Sequence, residues 1–151
     1  MITIEPATFE AAGYVAAHMR DADRRELRDL SNVGPYEAVL EAMQLPGEKW
    51  IGRVDGVPAA VFGVTTVSIL GNVGSPWLMG TDDTDKGARL LIQHGRELVA
   101  GWAGRYSLLE NVVDGRNWKT VKWLKRLGFT FDDPIEVKPG VPAMRFWMGE
   151  V

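Results

Sequence analysis

The chain has 151 residues and a mass of 16.7 kDa, with 46% hydrophobic and 25% charged residues, the balance of a folded soluble protein and not of a disordered one. A net charge of −3 argues against broad nucleic-acid binding, and the absence of cysteine excludes disulfides, thiolate nucleophiles, cysteine zinc sites and iron–sulfur clusters. The length suits one domain over residues 1–151, and the amino terminus carries neither a basic stretch nor an apolar one of the kind that directs export. A soluble protein of the cytoplasm, with no membrane span, is therefore expected.

In chain order, the alternation Ile-Thr-Ile-Glu at residues 2–5 predicts a short strand ending at Pro6. Thr8 is placed to cap a helix carrying Phe9, Ala12, Val15, Ala16 and Met19 on one side, continuing through the charged run Asp21 to Leu27 toward Leu30. Gly34-Pro35 starts a second helix with Tyr36, Val39, Leu40 and Met43 on one face, stopped by Pro46-Gly47. Asp55-Gly56 is a tight-turn signal between Trp50–Val54 and the long apolar arm Val57–Thr66. A glycine-rich loop, Gly71 to Pro76, then leads into a short strand at Trp77–Met79. Asp82, Asp83 and Asp85 precede a helix over about Lys86 to Trp102, as acidic residues suit a helix amino terminus. A strand over Tyr106–Val113, a helix over Asn117–Leu127 closed by Gly128, and a strand pair of Phe129–Phe131 with Ala143–Met148 complete the series. The pattern predicts an α+β fold with about six or seven strands in a mixed, mostly antiparallel sheet, flanked by about four helices.

The most specific run is Asn117-Trp-Lys-Thr-Val-Lys-Trp-Leu-Lys-Arg-Leu-Gly128-Phe129. With its asparagine at the helix start, a small residue three further on and a closing Leu-Gly-Phe, it resembles the carboxy-terminal signature of the GNAT acyltransferase family. That resemblance implies a sheet whose fourth and fifth strands splay apart around acetyl-CoA. The pantetheine would run beside Leu78, Met79 and Gly80. The pyrophosphate would rest on the loop and helix start at Lys86, Gly87 and Ala88, where helix amino termini hold anions, and Asn117 would contact the pantetheine or thiol. An amine substrate, small or protein-borne, would attack the thioester directly.

Two features depart from the family pattern. Its phosphate loop reads Gln/Arg-x-x-Gly-x-Gly/Ala, which falls here on Asp82, Asp85 and Gly87, so that only Gly87 matches. Each carboxylate within about 4 Å of a phosphate oxygen opposes it by roughly 4 kcal/mol at an effective dielectric near 20. The three aspartates otherwise serve as helix caps. Secondly, the family's tyrosine acid, seven residues after the asparagine, is Leu124, which transfers no proton. Candidates for the base are Glu110, Asp114, Asp23 and Glu26, with Glu110 and Asn117 taken as the catalytic pair, although Asn117 has an equal claim as a helix cap. His18 and His94 read as non-catalytic helix residues. Arg116, Lys119, Lys122, Lys125 and Arg126, interleaved by Trp118 and Trp123, read as a solvated face, with binding of nucleic acid or of the CoA phosphates as the alternative.

A narrower resemblance rests on Ala59-Ala-Val-Phe-Gly63, on Gly74-x-Pro-Trp-Leu-Met-Gly-Thr81, and on Val121-Lys-Trp-Leu-Lys125 before Leu127-Gly-Phe129. These are similar to small proteins of tailed phages and prophages, including an internal core protein family of short-tailed phages. The resemblance implies a place in the phage particle, with other phage structural proteins as partners and a weakened acetyl-CoA site. The alternative is an active acetyl-CoA-dependent N-acetyltransferase. Trp77, Trp118 and Trp123 are expected to fill the cofactor cleft in the first case.

Overall fold

A computed structural model describes residues 1–149. Its elements run β1 (Ile2–Pro6), α1 (Phe9–Ala17), α2 (Asp21–Glu26), a π-turn (Leu27–Ser31), α3 (Pro35–Gln44), β2 (Gly47–Val54), β3 (Val57–Ser68), β4 (Val73–Gly80), α4 (Thr84–Arg105), β5 (Leu108–Asp114), α5 (Trp118–Arg126), β6 (Thr130–Phe131), β7 (Ile135–Lys138) and β8 (Val141–Gly149). All eight strands belong to one sheet, in the order β1-β2-β3-β4-β5-β8-β6 with β7 also on β8. Every pairing is antiparallel except β4 with β5.

Local chemistry accounts for several boundaries. Thr8 accepts the Ala11 N–H and caps α1. Asp55 and Gly56 both take positive φ (49° and 83°), the conformation that lets a two-residue turn follow the twist of β2 and β3. α5 ends at Gly128 (φ 101°), after which the Phe129 N–H returns to the Leu124 carbonyl. Phe129 then enters the core edge-on to Phe146 at 5.2 Å.

Three expectations need correction. The first helix does not run on toward Leu30. It breaks after Ala17, because Met19 bridges to Thr81 and the Arg20 N–H binds the Gly80 carbonyl, so the backbone of this corner joins the sheet. The glycine-rich segment is not all loop: Val73 to Pro76 belong to β4. Between the two proline breaks lies β7, whose four exposed residues show no alternation of burial that would mark a strand.

The sheet carries a core on each face. On one face Val15 and Ala16 of α1 and Val39 of α3 pack with Ile51, Val61 and Met79, while on the other Val99 and Trp102 of α4 pack with Val64, Leu109 and Phe146. Between the faces, β4 and β5 pair only at Val73–Leu108 and Gly74–Leu109, then diverge. The Thr81 N–H to Ala59 carbonyl bond (2.8 Å) and the β3–β4 register set the alternation of hydrogen-bonding pairs. By that alternation Gly74, Pro76, Leu78 and Gly80 turn their backbone polar groups toward β5. Pro76 therefore stands at the first unpaired position with no N–H to donate. Asn111 of β5 wedges there, its Nδ2 donating to the Pro76 carbonyl at 2.8 Å.

Candidate functional site

The divergence of β4 and β5 opens a cavity of about 960 Å³ that reaches both faces of the sheet, at the upper end of the range for small-molecule sites. Trp77 and Met79 line it toward α3, and Phe62, Leu78 and Trp102 line it toward α4. The expected filling by indole is therefore not found. Trp77 and Trp123 are wall residues, while Trp118 is 63% exposed.

Across the wide end of the split lies α2, whose sequence Asp-Ala-Asp-Arg-Arg-Glu has no apolar face of its own except Ala22. Asp23 and Glu26, three residues apart, share the inward side. The Asp23 carboxylate is 3% exposed and makes three bonds. Its Oδ2 accepts the Gly80 N–H at 2.9 Å and Arg20 Nε at 2.8 Å, and its Oδ1 accepts Asn117 Nδ2 at 3.1 Å. Arg20 continues to Thr120 Oγ1 (2.5 Å) and lies over the Trp123 ring at 4.9 Å. This buried pair thus joins the end of β4 to the start of α5. Asn117 does not cap α5; its amide is committed to Asp23.

Glu26 lines the cavity and accepts the Asp114 N–H at 2.7 Å. Burial, aided by the nearby Asp23 and Asp114 carboxylates and resisted by that N–H and by Arg20, pushes its carboxyl up to about 7. Asp114 itself is fully buried; burial raises its carboxyl, but bonds from the Arg116 side chain and N–H outweigh this and hold it below the ordinary range. Arg116 also binds Asp29 (2.6 Å), whose carboxyl is held at about 2 by Arg28 and Arg116. Glu110 is not brought to the cavity. It pairs with Arg145 of β8 at 2.7 Å and is not among the residues that line the cavity. His18 and His94 are exposed, and no tyrosine lines the cavity; Leu124 does.

The phosphate end is occupied by its own charges. The N–H groups of Thr84, Asp85 and Lys86 turn back to the carbonyls of Thr81, Asp82 and Asp83, and Thr81 Oγ1 accepts the Asp83 N–H. None of the aspartates caps α4. Instead Asp83 pairs with Lys86 (3.0 Å) and Asp85 with Lys119 (2.5 Å). Gly87 is buried, and a Cβ there would collide with Ile2; this glycine serves helix–strand packing and not close approach of a ligand. Ala88, in contrast, lines the cavity. Lys122, Lys125 and Arg126 are exposed, and among the described residues none of them makes an ion pair. Among the described residues, too, no three His, Asp or Glu are arranged to hold a metal ion, and no helix is long and apolar enough to cross a membrane.

The residues therefore fit acetyl-CoA poorly. Of the backbone groups that β4 turns into the split, the Pro76 carbonyl is taken by Asn111, and the Gly80 N–H and carbonyl by Asp23 and the Arg20 N–H. Among the described residues no partner takes the Leu78 N–H or carbonyl, which are left for a ligand lying along the strand. Asp23 and Asn117, separated by 94 residues, were separate candidates in the sequence.

Mixed sheet, flanking helices and diverging fourth and fifth strands define the GNAT acyltransferase fold. Solved structures bear this out over nearly the whole chain. An acetyltransferase of the GNAT family from Streptococcus pneumoniae superposes with a TM-score of 0.64 at 14% identity, covering 98% of each chain. The protein yncA of Salmonella typhimurium, determined with its cofactor acetyl-CoA, gives 0.63 at 13% identity, covering 99% of this chain and 94% of its own. Aminoglycoside acetyltransferase AAC(6')-Ib, in complex with coenzyme A, gives 0.65 at 15% identity, covering 99% and 95%. No family model matches the chain, and no curated protein matches its sequence.

Proposed function

We propose that this chain uses the GNAT fold as an interaction module with a closed acetyl-CoA channel, in the setting its sequence resembles, the particle of a tailed phage. The observation that carries this reading is the Asp23 carboxylate seated between the Gly80 N–H and Asn117 Nδ2, across the route of a ligand along β4. The acidic loop at Asp82 and Asp85 acts in the same direction, because phosphates approaching it meet carboxylates whose nearby lysines are already paired.

Titration calorimetry with acetyl-CoA tests it. The native chain should give no saturable heat up to about 1 mM ligand, whereas a Kd below about 100 μM (near −5.5 kcal/mol) at moderate salt overturns the reading. Adding Asp82→Gln and Asp85→Gly should raise the affinity of a folded variant; unchanged binding removes the electrostatic part of the argument.

One observation favours a second reading, an active N-acetyltransferase of small or protein amines. Glu26, held near neutrality in an open cavity, has the protonation behaviour of a general base working at physiological pH. In that reading it accepts the proton of the attacking amine. Thiol release from acetyl-CoA in the presence of a panel of amines, lost in Glu26→Gln, is the outcome it requires. A rate equal to that without protein removes it.

A further inference from the structure

We propose that the seam between α4 and α5 is a docking groove for single-stranded nucleic acid, holding the phosphates of a short segment on Arg89, Arg96, Lys122 and Arg126 and a base on Trp118. Helical spacing builds the groove. Asp85, Arg89 and Arg96 share one stripe of α4, and Lys119, Lys122 and Arg126 share one stripe of α5. Contacts at both ends set the two stripes side by side: Lys119 pairs with Asp85 at 2.5 Å, and Arg96 Nε donates to the Arg126 carbonyl at 3.2 Å. At the helical rise these contacts stand about 16 Å apart along α4. None of the four basic residues lines the cavity in the β4–β5 split, so the groove is separate from it.

The charge of this groove is uncompensated. Arg89, Arg96, Lys122, Lys125 and Arg126 are exposed, and among the described residues none of them belongs to an ion pair. α5 carries no acid, and Asp85 is already held by Lys119. Glu97, next to Arg96, points about 100° further round α4. The chain as a whole carries a net charge of −3, so this concentration of one sign is local. The helix dipole accounts for Lys125 and Arg126 in the last turn of α5, but not for Lys122 or Arg89. Like charges three and four residues apart repel, and an anion from outside offsets that cost. Trp118 selects the kind of anion. It is 63% exposed, one turn before Lys122, with Lys119 Nζ 5.7 Å from its ring centroid. A bare indole beside a line of cations gives a base a stacking face and its phosphates their counter-charges. An acidic peptide would use only the cations, and a duplex keeps its base faces inside.

The test is fluorescence anisotropy of a labelled oligothymidylate of about twelve nucleotides, titrated with the intact chain. Four phosphate contacts give a logarithmic salt slope of about −2.8 for a single strand, so affinity should fall roughly fifty-fold between about 50 and 200 mM salt. Lys122→Ala should flatten that slope by about 0.7. Lys122→Glu combined with Arg126→Glu, folded by circular dichroism, should abolish binding. Trp118→Ala should weaken binding at least about fivefold with the slope unchanged, and Trp118→Phe should recover most of the loss. An oligouridylate should bind within about threefold of the oligothymidylate, because the groove reads phosphate and base face and not the sugar. A duplex of the same length, oligoglutamate and coenzyme A should each bind at least about tenfold more weakly. Oligoglutamate equal to the strand assigns the groove to an acidic protein, and coenzyme A equal to it assigns the groove to that cofactor's phosphates; either overturns the proposal. So does a duplex that matches the strand, a wide gap between the two oligonucleotides, an unaltered Trp118→Ala variant, or a Kd weaker than about 500 μM at low salt.

Discussion

Removing the Asp23 carboxylate is the sharpest probe of the closed split. In Asp23→Ala the Arg20 guanidinium, 6% exposed, keeps Thr120 and the Trp123 face but loses its only ion-pair partner among the described residues. The Gly80 N–H and Asn117 amide lose their acceptor at the same time. Breaking one side of a buried ion pair costs about 3–5 kcal/mol. For a chain of this length that corresponds to a fall in Tm of roughly 6–20 °C. Replacing both partners, Arg20→Met with Asp23→Leu, removes the stranded charge and should recover most of that loss, since an apolar pair of similar volume is often neutral or stabilising. Urea unfolding of the native chain, Arg20→Met, Asp23→Leu and the double variant gives the coupling energy directly. A loss under about 1 kcal/mol in Asp23→Ala, typical of an exposed pair, or strict additivity of the two single changes, would refute the reasoning.

Two further outcomes follow from the same geometry. Glu26 is raised to about 7 from 4.5, so the folded chain binds more protons than the unfolded one between those values. Its contribution to stability is present below pH 4.5 and is lost as pH rises through 7. At ~1.4 kcal/mol per unit of difference the full loss is about 3.5 kcal/mol, most of it between pH 5 and 8, and Glu26→Gln should remove that slope in urea midpoints measured over that range. A native profile with no fall over that range contradicts a Glu26 carboxyl raised in the folded chain. Separately, Gly87→Ala should destabilise by about 1–3 kcal/mol through overpacking, and Ile2→Val, which deletes the Cδ1 that the new Cβ meets, should restore much of it; thermal denaturation that shows no rescue would place the strain elsewhere.

Much of the fold was legible because its signals are local. Asp55-Gly56 specifies a hairpin by its φ angles, Gly128 ends α5 by the same freedom, and the apolar spacing of α1, α3 and α4 follows the helical period. The resemblance carried by Asn117 to Phe129 extended these pieces to the GNAT arrangement that the sheet order displays. β7 escaped notice because a four-residue edge strand with no buried side has no alternation to read.

What the chain alone determined, then, is most of its elements, its fold class and the departures from the family pattern: Asp82, Asp85 and Leu124 are visible without coordinates. Only the tertiary structure decided what those departures accompany. It turned Asn117 from a cap into a partner of Asp23, left Glu110 paired with Arg145 outside the cavity, and brought Glu26 into it. The physical reason is that turn and helix signals act through backbone angles within a few residues, whereas the partner of a buried charge is set by which segments the topology brings together. Zero cysteines and a balanced composition left the partners of Asp23 and Glu26 open; the fold seats the Asp23 carboxylate between the Gly80 N–H and Asn117.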